Sequence, residues 1–302
     1  MNHPARHRPV HGTPVLTILL LCSVMFFSAS SAEEPDQDVA GSQSSWERFP
    51  AGMLFPDLLA DPRSPRTHVT LADFSLDDAE FLAGMAGFAA NFGLFRRIPI
   101  EGQSKGTWQI SLAGGVNALF DMDASSRDLM DANYQIGVPV TWRRGNLALR
   151  GRAYHISAHQ GDDFLMNEDA ILKSPVLNMS FEAVEAMASW DRGPWTIYGG
   201  ATKMVRSRED LLPYWLQAGV QGSAPLKGNP RWRWVAGLDL HSWQETAWNL
   251  DIAAKGGMEL SGSQRRDRAI RFLAEIIHGR SPYYQFYNLK LTGYGLGMAF
   301  VF

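Results

Sequence analysis

The chain has 302 residues, with 28 Lys plus Arg against 31 Asp plus Glu, a formal net charge of -3 and one cysteine. So even a charge balance excludes a general nucleic-acid binder, which would carry a basic stripe, and a lone cysteine excludes an internal disulfide. The 28 Gly, 10 Trp, 16 Phe and 8 Tyr suit many strands joined by turns better than a helical bundle.

Arg6 and Arg8 precede an apolar run from Val15 to Phe27, and the small residues Ser28, Ala29, Ser30, Ser31 and Ala32 follow. This order predicts a secretory signal peptide over residues 1–32, cut before Glu33. The run is shorter than the ~20 residues of a spanning helix. Cys22 follows Leu21 inside it, whereas a lipidated cysteine would stand behind a small residue. Cleavage removes the only thiol, so the mature protein must be stabilised by burial or by a membrane.

Residues 33–66 read as a Pro-rich periplasmic lead-in. Pro50, Pro56, Pro62 and Pro65 forbid a regular strand or helix interior between Phe49 and Arg66. The segment is expected to plug a lumen, to lie across its periplasmic mouth, or to serve as an ordered link.

From residue 67 onward the dominant period is two. Candidate strands fall near 67–75, 83–97, 106–121, 132–143, 146–158, 177–190, 194–206, 214–225, 231–243, 248–262, 268–278 and 291–302. In the strand near 134–143, Tyr134, Ile136, Val138, Val140 and Trp142 oppose Gln135, Thr141 and Arg143. In 231–241, Trp232, Trp234, Leu238 and Leu240 oppose Arg231, Arg233, Asp239 and His241. In 248–260, Leu250, Ile252 and Met258 oppose Asp251, Lys255 and Glu259. A membrane barrel turns such an apolar face to lipid and its polar face to the lumen, with aromatic girdles such as Trp142, Trp190, Trp195 and Trp232 at the interfaces. Short Gly- or Pro-bearing links at 143–146, 191–194, 227–230 and 263–267 read as periplasmic turns. Longer ones at 121–131, 159–176, 207–213 and 279–290 read as extracellular loops. The fold expected over residues 67–302 is therefore all-β, an antiparallel transmembrane β-barrel of about twelve strands.

The last strand puts Tyr294, Leu296, Met298, Phe300 and Phe302 on one face and Gly295, Gly297, Ala299 and Val301 on the other. It looks like the sorting signal of bacterial outer-membrane barrels. That resemblance implies an outer-membrane location, outer-membrane lipids as partners, and engagement of the barrel assembly machinery through Phe302; no nucleic-acid partner is expected.

The densest polar motif runs from Tyr154 to Phe164, at the end of one strand and the start of the longest loop. Period two sends Arg150 and Arg152 into the lumen and His155 and Ser157 towards lipid near the outer rim. Polar groups on a lipid face are costly and point to function. A His two residues from a Ser places an imidazole base beside a hydroxyl nucleophile. Counting eight residues up from Leu147 reaches His155, and eight up from Trp190 reaches Glu182, so Glu182 is placed to orient the imidazole as the acid of a triad does. His159 is read as a loop residue, or as a further member of the lipid-facing site. Asp162 and Asp163, with Glu168 and Asp169, offer oxygen ligands for Ca²⁺, although the same residues equally fit a solvated loop. Arg143, Arg150, Arg152, Asp239, Asp251, Lys255 and Glu259 are expected to pair across the lumen or, if water fills it, to line a pore.

His155-Ile156-Ser157, outward-facing and high on a barrel, is similar to the His-x-Ser pair of outer-membrane phospholipase A and of the lipid A 3-O-deacylase. That likeness implies hydrolysis of an ester lipid of the outer leaflet, completed by an Asn or Glu on the following strand. At full length the chain resembles the uncharacterised bacterial barrel family known as domain-of-unknown-function family 1207. The matching stretches are Leu59-Ala60-Asp61-Pro62-Arg63, Tyr154 to Phe164, Ser180-Phe181-Glu182-Ala183 and Tyr294-Gly295-Leu296-Gly297. Two functions from different classes thus stand side by side. One is a lipid-facing Ser-His-Glu esterase using Ser157, His155 and Glu182; the other is a non-catalytic structural barrel or small-solute channel.

Overall fold

The computed structural model describes residues 45–99, 105–167, 170–172, 176–262 and 268–301. The expected signal peptide, the start of the lead-in, Glu168, Asp169, the 263–267 turn and Phe302 lie outside the described residues. No helix among the described residues is long and apolar enough to cross a membrane.

Twelve strands of the described chain close into one antiparallel ring: β2 (Thr67–Leu76), β3 (Ala79–Ile98), β4 (Thr107–Asp121), β5 (Leu129–Arg144), β6 (Leu147–His159), β7 (Ser180–Arg192), β8 (Trp195–Ser207), β9 (Tyr214–Leu226), β10 (Asn229–Trp243), β11 (Asn249–Ser261), β12 (Ala269–Arg280) and β13 (Lys290–Val301). Each pairs with its neighbours in sequence, and β13 closes the ring on β2 in a register running from Leu291↔Leu76 to Phe300↔Thr67. A short β1 (Ser45–Arg48) extends the far end of β3. Three of the tight links at that end of the barrel turn on glycines with positive φ, Gly145, Gly193 and Gly228, a conformation that side chains with a Cβ rarely adopt.

Exposure follows the period of two and is inverted relative to a water-soluble sandwich. Leu71, Ile136, Ile197, Leu216, Leu250, Ile276, Tyr294 and Leu296 point outward and are exposed, while Asp131, Glu185, Asp239, Asp251, Lys255 and Glu275 point inward and are buried. An apolar belt around the outside with charge within is the pattern that hydrocarbon solvent selects. Closing the sheet leaves no edge with unpaired backbone groups, which hydrocarbon would not tolerate.

The lead-in enters the lumen. Over residues 50–66 it rises inside the wall and returns to β2, burying Phe55, Leu58, Leu59 and Ala60. Polar side chains of the wall hold its backbone: Gln221 donates to the Asp57 carbonyl at 2.8 Å and accepts from the Leu59 amide at 2.8 Å, and Arg143 donates to the Leu54 carbonyl at 3.1 Å. Arg66 folds back to bond the carbonyls of Leu58, Leu59 and Asp61 at 2.5 to 2.9 Å. Such bonds satisfy a backbone that its prolines keep out of any ladder. Asp57 pairs with Arg271 at 2.7 Å and Arg63 with Asp251 at 3.3 Å. From the long-loop end, Tyr283, Tyr284, Gln285 and Phe286 pack down as a buried lid. Cavities of about 10 and 20 Å³ lie between this lid, the plug and the wall, enough for single waters.

Several of the interior charges pair as well. Glu185 bridges Arg150 and Arg152, Lys255 meets Glu275 at 2.6 Å, and Arg271 joins Glu259 at 2.8 Å. The full chain is therefore expected to show no steady conductance in planar bilayers, whereas an internal deletion of residues 52–62 is expected to produce current steps. Steady ion flow through the intact chain would show that the plug leaves the lumen.

Candidate functional site on the outer wall

The wall formed by β5 to β8 carries the polar residues of interest. Trp142 on β5 pairs with Leu149 on β6 near the tight-turn end, where an aromatic girdle marks one interface. A rise of about 3.3 Å per residue on a strand tilted by about 40° gives about 2.5 Å of height per residue. Ser157 thus lies about 20 Å above the girdle, near the upper edge of an apolar band about 25 Å tall.

The register sets His155 directly opposite Glu182 and Leu147 opposite Trp190. The imidazole Nδ1 stands 3.5 Å from Glu182 Oε1, with both side chains half-buried on the outer surface. Ser157 is also outward. Its Oγ hydrogen-bonds Nε2 of His159 at 2.8 Å, rather than an atom of His155. His159 is the last residue of β6, not a loop residue, and its ring packs edge-on against Tyr134 at 6.0 Å. The hydroxyl therefore stands between two imidazoles at i-2 and i+2 on one face, one of them carrying a carboxylate at Nδ1. The other face of β6 locks this arrangement: Tyr154, Ile156 and Ala158 are buried in a cluster with Met179, Phe181 and Trp215. A slip by one residue would exchange the two faces.

Backbone donors near Ser157 are already engaged. The Ala158 amide donates to the Met179 carbonyl at 2.8 Å, and Gly161 to Leu129 at 3.0 Å. The side chain that meets the Ser157 hydroxyl is the His159 imidazole.

Asp162 and Asp163 begin a short helix, α1 (Asp162–Met166), with both side chains exposed. Acidic residues in a first turn complement the helix dipole. Among the described residues, no three His, Cys, Asp or Glu side chains gather as a metal ion requires. Phe164 anchors α1 under the lid against Phe286, ring centroids 6.0 Å apart. Asn167 ties the far end of α1 to Asp128 in the β4–β5 loop at 2.8 Å. Hydrogen bonds from Ser126 and Asn167 hold the Asp128 carboxyl below its usual value of 3.8. This tie is fully present above the unfolded value and is lost as pH falls through the lower folded one.

By fold, the chain is similar to outer-membrane phospholipase A of Escherichia coli, at a TM-score of 0.51 and 13% identity, over 80% of this chain and 92% of that one. It is equally similar to the Salmonella typhi outer-membrane phospholipase dimer with bound calcium, at a TM-score of 0.52 and 13% identity, over 80% of this chain and 93% of that one. At such identity these likenesses show a shared fold of the outer-membrane barrel type. No curated protein matches by sequence. The model of one family, described as a protein of unknown function (DUF1207), matches residues 29–302. With that match spanning nearly the whole chain, this barrel belongs to the DUF1207 family.

Proposed function

We propose that this barrel is an enzyme of the bacterial outer membrane that hydrolyses acyl-ester lipids on its outer wall. Ser157 is the nucleophile, His155 the general base and Glu182 the residue that orients the base. The observation that carries this reading is the outward Ser157 hydroxyl set between two imidazoles, one with a carboxylate at Nδ1, at the height where lipid ester bonds meet the hydrocarbon. The signal peptide, the C-terminal strand and engagement of the assembly machinery at Phe302 belong to the same proposal.

With Glu182 accepting from Nδ1–H of His155, Nε2 of that ring is left as a base. A single rotamer step about the Ser157 Cα–Cβ bond turns Oγ from His159 to His155, and catalytic hydrogen bonds commonly tighten only when substrate is bound. Oγ then attacks the ester carbon while His155 takes its proton, and the same proton passes to the leaving alcohol as the ester C–O bond breaks. His159, released from Oγ, donates its Nε2–H to the oxyanion. Water, deprotonated by His155, cleaves the acyl-enzyme, releasing fatty acid and restoring the serine. No step requires a metal; Ca²⁺ at Asp162 and Asp163 would act by ordering the loop above the site.

The test is to fold residues 33–302 in detergent, supply phospholipid or lipopolysaccharide with and without Ca²⁺, and measure released fatty acid by mass spectrometry. Release that vanishes in Ser157→Ala establishes the reading. Equal release from both proteins, or none from a folded barrel, ends it.

A further inference from the structure

Strand β8 breaks its own alternation at one point. Tyr198, Thr202 and Met204 are buried inside the barrel, and Lys203 and Val205 are exposed outside it. Unbroken, period two would send Arg206 into the lumen. Instead the register with β7 skips a residue, with Ala183 opposite Met204 and Glu182 opposite Arg206. Val205 is the extra residue of a β-bulge, a device that re-aims a side chain and is frequent beside functional sites. Ser207 then opposes the buried Phe181 and returns to the inner face.

The bulge thus moves a guanidinium from the polar lumen to the outer wall, where Arg206 is exposed in one cross-strand row with Glu182 and His155. Glu182 is occupied by His155, and no side-chain hydrogen bond or ion pair joins the Arg206 guanidinium to another of the described residues. Lys203 lies just below on the same face, its Nζ 5.6 Å from the Tyr214 ring. Two cations facing lipid without a carboxylate partner are costly unless an anion meets them. Long basic side chains on a lipid face extend their charged ends outward to the headgroup layer, where the anion supplied by a lipid is its phosphate, which an arginine fork binds in bidentate fashion. From β6 to β8 is two strand spacings, about 10 Å, a gap that an arginine side chain and a glycerol or sugar backbone span together.

We propose that Arg206 and Lys203 form an anion subsite that holds the phosphate of a membrane lipid and presents its acyl ester to Ser157. The presentation to Ser157 rests on the esterase reading; the phosphate subsite does not. The phosphate is that of a glycerophospholipid or of a phosphorylated acyl sugar, and the probes separate these sources.

The experiment uses full-length protein carrying Ser157→Ala, folded in a neutral detergent, so that binding is read without turnover. Native mass spectrometry measures retention of phosphatidylglycerol, of lipid A, and of a diacylglycerol with the same acyl chains but no phosphate. The expected result is at least about tenfold stronger retention of a phosphorylated lipid than of diacylglycerol, the worth of a charge-assisted contact. Arg206→Gln with Lys203→Gln removes that preference and leaves diacylglycerol binding unchanged. Whichever phosphorylated lipid shows the preference names the source. Equal retention of all three lipids, or a preference that survives the double variant, overturns the subsite. Arg206→Gln alone serves if the double variant fails a heat-modifiability test of folding. Phosphate-dependent binding without fatty-acid release from the Ser157 protein leaves the subsite standing and rejects the esterase; the converse rejects only the subsite.

Discussion

On the esterase reading, replacing His155 by alanine is expected to lower fatty-acid release about 10³-fold or more, and His159→Ala to lower it about 10²-fold. The first figure reflects loss of the general base and of its orienting carboxylate together; the second is the usual cost of removing one oxyanion donor. Conservative variants sharpen the contrast. A glutamine at 159 keeps an N–H donor and restores most of the activity, while a glutamine at 155 keeps no base and restores none. Glu182→Gln falls between the two, because the imidazole keeps a partner but loses the charge that favours its protonated form. Initial rates of release, with folding verified for each variant, decide the matter. A His159→Gln protein as inactive as His155→Ala would make His159 the base and leave Glu182 without a part in the chemistry.

Removing the Glu185 carboxylate is expected to have the largest effect on stability. Its two oxygens accept from Arg150 Nε at 2.8 Å and Arg152 Nη2 at 2.6 Å, with the Glu185 side chain only 4% exposed. The Arg150 guanidinium also lies 4.4 Å from the centre of the Phe55 ring of the plug, and Arg152 lies 4.3 Å from that of Tyr154. Glu185→Ala leaves two cations on one strand face without the carboxylate that bridges them, a change that costs about 3–5 kcal/mol when a buried pair loses one partner. Replacing Arg150, Arg152 and Glu185 together by apolar residues of similar volume costs far less, since no charge is then stranded. Reversible urea unfolding from phospholipid vesicles, followed by the ten tryptophans, gives both values. A Glu185→Ala loss below about 1 kcal/mol would place the pair in the range of solvated surface bridges.

The sequence was most informative where hydrophobic periodicity is strict. All twelve wall strands, from Thr67–Leu76 to Lys290–Val301, lie close to the segments marked by alternation, because lipid outside and charge inside leave little freedom at each position. The height of His155 against Glu182 was legible for the same reason: although β6 and β7 are joined by the long loop, each can be counted up from its own tight turn, from Leu147 and from Trp190. The missed features are those in which alternation stops or continues by one residue. His159 continues the 155, 157 series by one more step, so that it could be read as part of the outward face, yet its neighbours Gln160 and Gly161 favour a loop. Val205 inserts one residue and reverses the face of Arg206, a change that composition does not mark. The lead-in was legible as a segment that its prolines exclude from the wall, but its depth in the lumen depends on partners in distant strands, such as Gln221 and Arg271. The aspartates at 162 and 163, read as oxygen ligands or as solvated loop residues, stand at the exposed start of a short helix.

The plug also bears on how the molecule is assembled. Its contacts come from β5, β9, β11 and β12, spread around the ring, so no local hairpin can bind it. It has a complete binding surface only once the wall has curved, and the closing seam joins the first wall strand to the last. Pairings between distant parts of a chain form late and slowly. Capture of residues 50–66 and closure of the β2–β13 seam should therefore share one rate-limiting event, so that a chain weakened at the plug closes its barrel more slowly.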